Sequence, residues 1–266
     1  MAHTPQTQTT PTPRIVLLSC AGAPFSAEIL QAIQRDRPEW IGHIAAAVLS
    51  LPKASPLAAL PLAARWRKLY HDKGVRALAK EIRQAVGYRI NGVWRRIEKK
   101  IDAQRRSLTP SAKAYRRIDE FCAAHAIPIH TTRDVNAEDT LALLRGLAPD
   151  LILMATFNHI LRRPAIEIAK LATINVHPSM LPAQRGPDPI NEVLRLGLSN
   201  SGVTIHLVDE GIDTGDIVMQ QPYTLPSGET EKTLRAALAN IAGALLIACL
   251  DQLRDTGQLH AQPQRR

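Results

Sequence analysis

Short apolar runs alternate along the chain with segments whose apolar residues recur at helical spacing. Residues 14–20 (RIVLLSC) and 44–51 are apolar runs of strand length, and residues 25–35 between them have an apolar helical face. Continuous apolar runs are typical of buried parallel strands, and spacing of three or four residues is typical of a helix packed on a sheet. The order strand, helix, strand predicts a βαβ unit, with Ser26 as the cap of its helix.

The same alternation resumes beyond residue 117 and continues almost to the last residue. The predicted helices cover residues 115–125, 137–147, 164–170, 189–197 and 229–253. The predicted strands cover residues 127–130, 150–155, 173–177, 202–208 and 217–223. We therefore predict an α/β fold that is Rossmann-like, with a mostly parallel twisted sheet flanked by helices.

Residues 58–117 interrupt this pattern and hold most of the positive charge. They contain 17 Lys and Arg against 4 acidic residues, a net +13 in a chain of formal charge +9. Aromatic and basic residues interleave at residues 66–70 and 94–100, which suits nucleic acid or a phosphorylated substrate. An amphipathic helical cap with a solvated basic face explains the same pattern. We favour this second interpretation and predict a basic helical insertion.

The remaining composition points to a globular cytoplasmic protein. Hydrophobic residues make up 45% of the chain, and we find no apolar run of the roughly 18 residues that a membrane span needs. The opening residues 1–13 lack the apolar stretch of a secretory signal and are expected to be a disordered tail. The three cysteines are far apart, so neither a disulfide framework nor a metal site is expected.

Residues 173–177 (TINVH) place two polar side chains on one face of a predicted strand. Side chains alternate between the faces of a strand, so Asn175 and His177 point the same way. Pro178 favours an extended His177 and helps to end the strand. Both side chains are expected at the carboxyl end of a strand, where open α/β sheets hold their binding sites.

An amide beside an imidazole suits acyl transfer. Asn175 can donate a hydrogen bond to a developing oxyanion, and His177 can exchange a proton near neutral pH. No Gly-x-Ser-x-Gly motif accompanies them, so the attacking group is expected to come from the substrate. Asp213, in the turn-like segment 209–216, is the carboxylate best suited to favour the imidazolium. A satisfied structural pair at a strand end explains Asn175 and His177 equally well.

Four stretches of sequence together carry a longer signature. They are residues 174–182 (INVHPSMLP), Arg185-Gly186, Pro189-Ile190 and residues 202–217 (GVTIHLVDEGIDTGDI). This signature closely resembles that of the folate-dependent formyltransferases, which include the glycinamide ribonucleotide, methionyl-tRNA and sugar N-formyltransferases. The resemblance implies a catalytic domain over residues 14–256, with the insertion inside it and a C-terminal tail at residues 257–266.

The resemblance also implies roles for particular residues. Asn175 would be the oxyanion donor, His177 the catalytic acid or proton relay, and Asp213 the partner that raises the pKa of His177 and positions a water. An acceptor amine would attack the formyl carbon of 10-formyltetrahydrofolate, and tetrahydrofolate would leave. His206 is expected only as a neighbour of the site. The folate pocket would be built from Phe157, Asn158, His159, Ile160, Leu161, Glu210, Gly211 and Ile212, and a substrate loop from Ser179, Arg185 and Gly186.

The chain departs from the family at the acceptor side. Residues 20–26 (CAGAPFS) lack the phosphate loop of the glycinamide ribonucleotide enzymes, and Pro24 removes an amide donor. The methionyl-tRNA enzymes carry a further C-terminal domain, and formylation of methionyl-tRNA is therefore not expected either. A nucleotide-linked amino sugar or another small amine is the expected acceptor, with no membrane partner and with the oligomeric state left open. The alternatives are a 10-formyltetrahydrofolate hydrolase and a nucleic-acid-binding or scaffold protein on the same fold.

Overall fold

The structure is a computed structural model that describes residues 12–51 and 115–264. Most of the predicted insertion at residues 58–117, and most of the predicted tail at residues 1–13, lie outside these ranges. The helical nature of the insertion and the division into domain and tails therefore stay predictions.

Within residues 12–51 and 115–264, seven strands form one sheet in the order β3-β2-β1-β4-β5-β6-β7. The first five are parallel to one another, and β5/β6 and β6/β7 are antiparallel pairs. This confirms the predicted Rossmann-like, mostly parallel sheet. The strands are β1 (Ile15–Cys20), β2 (Ile44–Ser50), β3 (Ile129–Thr132), β4 (Leu151–Ala155), β5 (Ala172–His177), β6 (Asn200–Leu207) and β7 (Ile217–Thr224).

Helices cover both faces of the sheet because the central strands are apolar on both sides. Ile15 and Leu17 of β1 join one apolar cluster, whereas Val16 and Leu18 join a second cluster on the opposite face. The helices are α1 (Pro24–Asp36), α2 (Ile118–Ala124), α3 (Glu138–Leu147), α4 (Arg163–Ile166), α5 (Pro189–Leu196) and α6 (Glu231–Thr256), with a 3-10 helix at Pro38–His43.

Helix α6 is the longest described element and packs closely on α1. A Cβ at Gly243 would lie 2.6 Å from the Cβ of Ala32, so glycine permits the two helices to approach. Within the described ranges, α6 is also the one helix whose length and mean hydropathy of 1.8 would allow it to cross a membrane, which was not expected from the sequence. Its apolar residues Leu234, Leu246 and Leu250 are buried in the protein core, as in a core helix.

Some predicted boundaries are wrong for local physical reasons. The predicted strand at residues 127–130 is displaced to Ile129–Thr132, because Ala126 has a left-handed backbone with φ 53° and Pro128 has no N–H to donate. The predicted helix at residues 164–170 is one turn, Arg163–Ile166, and the hydroxyl of Thr173 donates to the Ile166 carbonyl at its end, 2.8 Å.

The sequence predicts Ser26 as the N-terminal cap of α1, and this prediction is wrong. The helix begins one turn earlier, with Pro24 as its first residue and Ala23 as its N-cap. The buried Ser26 hydroxyl instead donates to the Ala155 carbonyl at 2.9 Å and contacts the Ser19 hydroxyl at 2.8 Å. These bonds join β1, α1 and β4 at the carboxyl edge of the sheet.

Candidate active site

Asn175 and His177 lie at the carboxyl end of β5, where this strand meets the antiparallel strand β6. His177 is 4% exposed and Asn175 is half-buried. In the register of the pair, Asn175 lies opposite His206, and His177 lies opposite Thr204. The switch from parallel to antiparallel pairing therefore brings a second histidine next to the Asn175 amide.

Asp213 reaches the same place from the loop between β6 and β7. Its backbone is left-handed, with φ 51°, a conformation that is uncommon for a residue other than glycine. Gly215 is required two residues later, because a Cβ there would overlap the Leu207 carbonyl. Asp209 tightens the other side of the loop by accepting hydrogen bonds from the Gly211 amide at 3.0 Å and the Thr214 hydroxyl at 2.7 Å.

The Asp213 carboxylate is surrounded by polar groups from three segments of the chain. Its Oδ2 accepts from the Gly186 amide at 2.8 Å, and its Oδ1 accepts from Asn175 Nδ2 at 3.2 Å. The Nδ1 of His177 lies 3.6 Å from Oδ2, and the Nε2 of His206 lies 3.5 Å from Oδ1. The structure thus brings two of the predicted catalytic residues, Asn175 and His177, to the carboxylate of the third, Asp213.

The two ring nitrogens of His177 face different partners. Nε2 donates to the Gln184 carbonyl at 2.9 Å, so in the neutral ring Nδ1 carries a lone pair on the side of Asp213. Burial lowers the pKa of His177 and outweighs Asp213 and the Gln184 carbonyl, which both favour the imidazolium. Asp213 thus raises the pKa of His177 as expected, but burial outweighs it, so the net pKa lies below its ordinary value and His177 is mainly neutral at pH 7.

Asp213 itself is held in its ionised form. Burial opposes its charge, but His206, His177 and the Gly186 amide together outweigh burial and keep the pKa of Asp213 below its usual value. The Nδ1 of His206 lies 2.8 Å from the Leu207 carbonyl, and its Nε2 lies 3.1 Å from the Nδ2 of Asn175, which also donates to Asp213. The amide of Asn175 is oriented by these two neighbours.

A cavity of about 520 Å³ opens above these residues at the carboxyl edge of the sheet. Ile160 and Ile212 line it and are 54% and 53% exposed, an unusual exposure for large apolar side chains within one cavity. Glu210 is not among the lining residues, and its carboxylate accepts from the Arg163 amide at 3.3 Å. The other residues predicted for the folate pocket do line the cavity: Phe157, Asn158, His159, Leu161 and Gly211.

The three residues of the predicted substrate loop have different surroundings. Gly186 lines the cavity and donates its amide to Asp213. The hydroxyl of Ser179 is fully buried and donates to the Ala183 carbonyl at 2.9 Å, so it orders the loop. Arg185 does not line the cavity, and its guanidinium donates to Gln264 Oε1 at 2.6 Å.

Sequence reasoning missed the wall of the cavity that lies away from Ile160 and Ile212. Pro24 and Phe25 contribute to it from the start of α1, and Glu231 and Arg235 contribute from the first turns of α6. Arg235 pairs with Glu231 at 2.8 Å and with Glu28 at 3.2 Å. No local motif marks these residues, although the position of α1 directly after β1 predicts that its start lies at the same edge of the sheet.

The sequence of this chain is similar to those of known proteins. The sequence model described as Formyl transferase matches residues 95–250. The methionyl-tRNA formyltransferase of Pelobacter propionicus is 35% identical over 147 residues, which are 55% of this chain and 46% of that protein. The chain thus spans about half the length of the curated relatives it matches.

Solved structures share the fold at lower identity. Phosphoribosylglycinamide formyltransferase from Bacillus halodurans is 19% identical, with a TM-score of 0.56 over 92% of this chain and 97% of that one. A sugar 3N-formyltransferase solved in the presence of dTDP and 5-N-formyl-THF is 16% identical, with a TM-score of 0.53 over 97% of this chain and 68% of that one. Both similarities concern the course of the backbone.

Proposed function

Because this chain belongs to the formyl transferase family, we propose that it transfers a formyl group from 10-formyltetrahydrofolate to an acceptor amine. The observation that carries the proposal is the contact of Asn175, His177 and Asp213 at the floor of one cavity. This set holds a hydrogen-bond donor, a neutral base and a fixed anion, and an amine attacking a formyl carbon needs all three.

The roles follow from the hydrogen bonds. The amine nitrogen forms a bond to the formyl carbon, and the carbonyl electrons move to the oxygen. The N–H of Asn175 Nδ2 that faces His206 in the free protein turns to this oxyanion and stabilises it, while the other N–H stays on Asp213. Neutral His177 takes the proton of the amine at Nδ1, because Nε2 is already bound to the Gln184 carbonyl. Asp213 stabilises the imidazolium from 3.6 Å. When the tetrahedral intermediate collapses, the bond to the folate nitrogen breaks and that nitrogen recovers a proton from His177.

The apolar residues of the cavity support a folate site. A pterin ring is flat and aromatic, and covering Ile160 and Ile212 with it would remove apolar surface from water. Phe157 and His159, whose ring centroids lie 5.3 Å apart, line the same cavity. We assign the folate to this side and the acceptor to the wall formed by Pro24, Phe25, Glu231 and Arg235.

The acceptor is proposed to be a small amine such as a nucleotide-linked amino sugar. Because relatives are named methionyl-tRNA formyltransferase, methionyl-tRNA is the competing candidate for the acceptor. The basic residues 58–117 would suit either of these anionic acceptors. A hydrolase is the remaining alternative, and it differs from a transferase in releasing tetrahydrofolate and formate without an amine.

The proposal is tested by titrating the protein with 10-formyltetrahydrofolate in a calorimeter, and then measuring tetrahydrofolate release with and without amines. The acceptors are nucleotide-linked amino sugars, glycinamide ribonucleotide and methionyl-tRNA. We expect micromolar folate binding and release that depends on one class of amine. Asn175→Ala should abolish release, whereas Asn240→Ala, on the exposed side of α6, should not. Absence of folate binding, or equal release without amine, would overturn the proposal.

A further inference from the structure

The segment at residues 262–264 lies against the loop that carries Asp213. The backbone of Gln262 forms a two-way bridge with Ile217, in which each amide donates to the other carbonyl at 2.8 Å. The described part of the chain beyond α6 thus extends the sheet by one residue pair at the start of β7. Pro263 follows the bridge, and its ring fixes its own φ and restricts the backbone of Gln262 before it.

The side chain of Gln264 makes three hydrogen bonds from this position. Its Nε2 donates to the Asp213 carbonyl at 2.9 Å and to the Gly215 carbonyl at 2.7 Å. Its Oε1 accepts from Arg185 at 2.6 Å. A primary amide offers two N–H donors and one carbonyl, so glutamine satisfies these three neighbours at once. Neither a glutamate nor an alanine can do the same.

These bonds join the two loops that fix the catalytic pair. Arg185 lies between Gln184, whose carbonyl holds His177 Nε2, and Gly186, whose amide holds the Asp213 carboxylate. Asp213 and Gly215 belong to the opposite loop. The side chain of Gln264 bonds to both loops and does not itself line the cavity, and it contacts Asp213 at the backbone carbonyl and not at the carboxylate.

The hydrogen bonds of Gln264 act on a residue, Asp213, whose backbone is left-handed. A non-glycine residue in that region is strained, and it persists only where the surrounding structure compensates. Gln264 binds the carbonyl of the strained Asp213 and that of Gly215 two residues on, so it holds the turn on both sides of Thr214. Without these bonds, the loop is free to relax and to move the carboxylate away from His177.

We propose that Gln264 is a positioning residue, which holds the Asp213 loop against the Arg185 loop and so fixes the distance between Asp213 and His177. The inference rests on the proposed function for its catalytic consequence, but the geometry it describes exists in the free protein. Gln264 touches no reacting atom. It acts through Asp213, so its loss should change turnover more than substrate binding.

The test compares Gln264→Ala and Gln264→Glu with Gln258→Ala as a matched control. Gln258 is an exposed glutamine of the same C-terminal stretch, and its described hydrogen bonds use only backbone atoms. Gln264→Glu keeps an acceptor for Arg185 but lacks the two N–H donors. It therefore removes the bonds to the Asp213 and Gly215 carbonyls and retains the contact with Arg185. We expect both Gln264 variants to lose about 10–100-fold in kcat with little change in the folate KM. The control should match the wild type.

A second readout does not depend on activity. The ring of His177 is titrated by NMR in the free protein, with and without the Gln264→Ala change. Because Asp213 favours the imidazolium, its displacement should lower the pKa of His177 further. An unchanged His177 titration together with wild-type kcat in both Gln264 variants would overturn the positioning role. If the wild type transfers no formyl group but the His177 titration shifts as expected, the proposed function fails and the positioning role stands.

Discussion

The Nδ1 of His177 lies 3.6 Å from the Oδ2 of Asp213, slightly beyond hydrogen-bond distance. The two groups therefore attract each other most strongly only after His177 has taken a proton. A base that is neutral at rest and stabilised once it is protonated suits a reaction in which the nucleophile loses a proton.

Replacing either member of the pair should remove catalysis and keep the fold. His177→Ala and Asp213→Asn are each expected to lower kcat about 10²–10⁴-fold, because the proton acceptor or its stabilising anion is lost. Asp216→Asn, an exposed carboxylate three residues after Asp213, is the matched control. Circular dichroism and thermal unfolding check the fold, and near-normal rates for both variants would contradict the mechanism.

The pH dependence of kcat/KM should report the lowered pKa of His177. Above this pKa the ring is neutral and able to accept a proton, so the rate should stay level around pH 7 and fall only when acid protonates the free enzyme. Asp213→Asn removes an anion that favours the imidazolium. The acid limb of its residual activity should then lie at a lower pH than in the wild type, and a shift to higher pH would refute the assignment.

The exposed isoleucines should contribute to folate affinity. Ile160→Ala and Ile212→Ala each remove apolar surface that a bound pterin would cover, and we expect the Kd for folate to rise about 5–10-fold in each variant. Leu171→Ala is the control, because Leu171 is 48% exposed but does not line the cavity. Calorimetry measures the three affinities. Equal losses of folate affinity in all three variants would show that Ile160 and Ile212 do not belong to the folate site.

The pair of Glu28 and Arg235 should affect stability in a pH-dependent manner. Burial already raises the pKa of Glu28, and Arg235 opposes this increase. In Arg235→Leu the pKa of Glu28 should rise further above its unfolded value, so the folded state is penalised increasingly as pH rises through that raised pKa. We expect a loss of about 1–2 kcal/mol at pH 8 and a smaller loss at pH 4.5. Urea unfolding at both pH values measures it, and a larger loss at pH 4.5 would contradict this reasoning.

The sheet and the positions of Asn175 and His177 were predictable because they depend on local patterns. Apolar runs marked the central strands, and the two-residue alternation in β5 put both side chains on one face. The net pKa of His177 was not predictable, since it depends on how deeply the ring is buried by segments far along the chain. The prediction of Ser26 as a helix cap was wrong because the position of its hydroxyl also depends on a distant segment of the chain. Its true partner, the Ala155 carbonyl, lies 129 residues away.

Gln264 and Arg235 carry no sequence signal for the same physical reason. Gln264 is recognised by carbonyl groups, and every residue has one, so its importance appears only when the chain is folded. Arg235 and Glu28 are 207 residues apart, and their pairing depends on the packing of α6 on α1. Contacts between distant segments of this kind decide which exposed-looking polar residues become part of a site.

The register of β5 and β6 concentrates the proposed chemistry in a short stretch of the chain. Asn175, His177, Gly186, His206 and Asp213 all fall within residues 175–213, whereas the wall assigned to the acceptor is assembled from α1 and from α6, near opposite ends of the described sequence. The acceptor wall and the reaction centre therefore belong to different segments of the chain. An arrangement of this kind would let evolution exchange one acceptor for another while the formyl-transfer step is inherited unchanged.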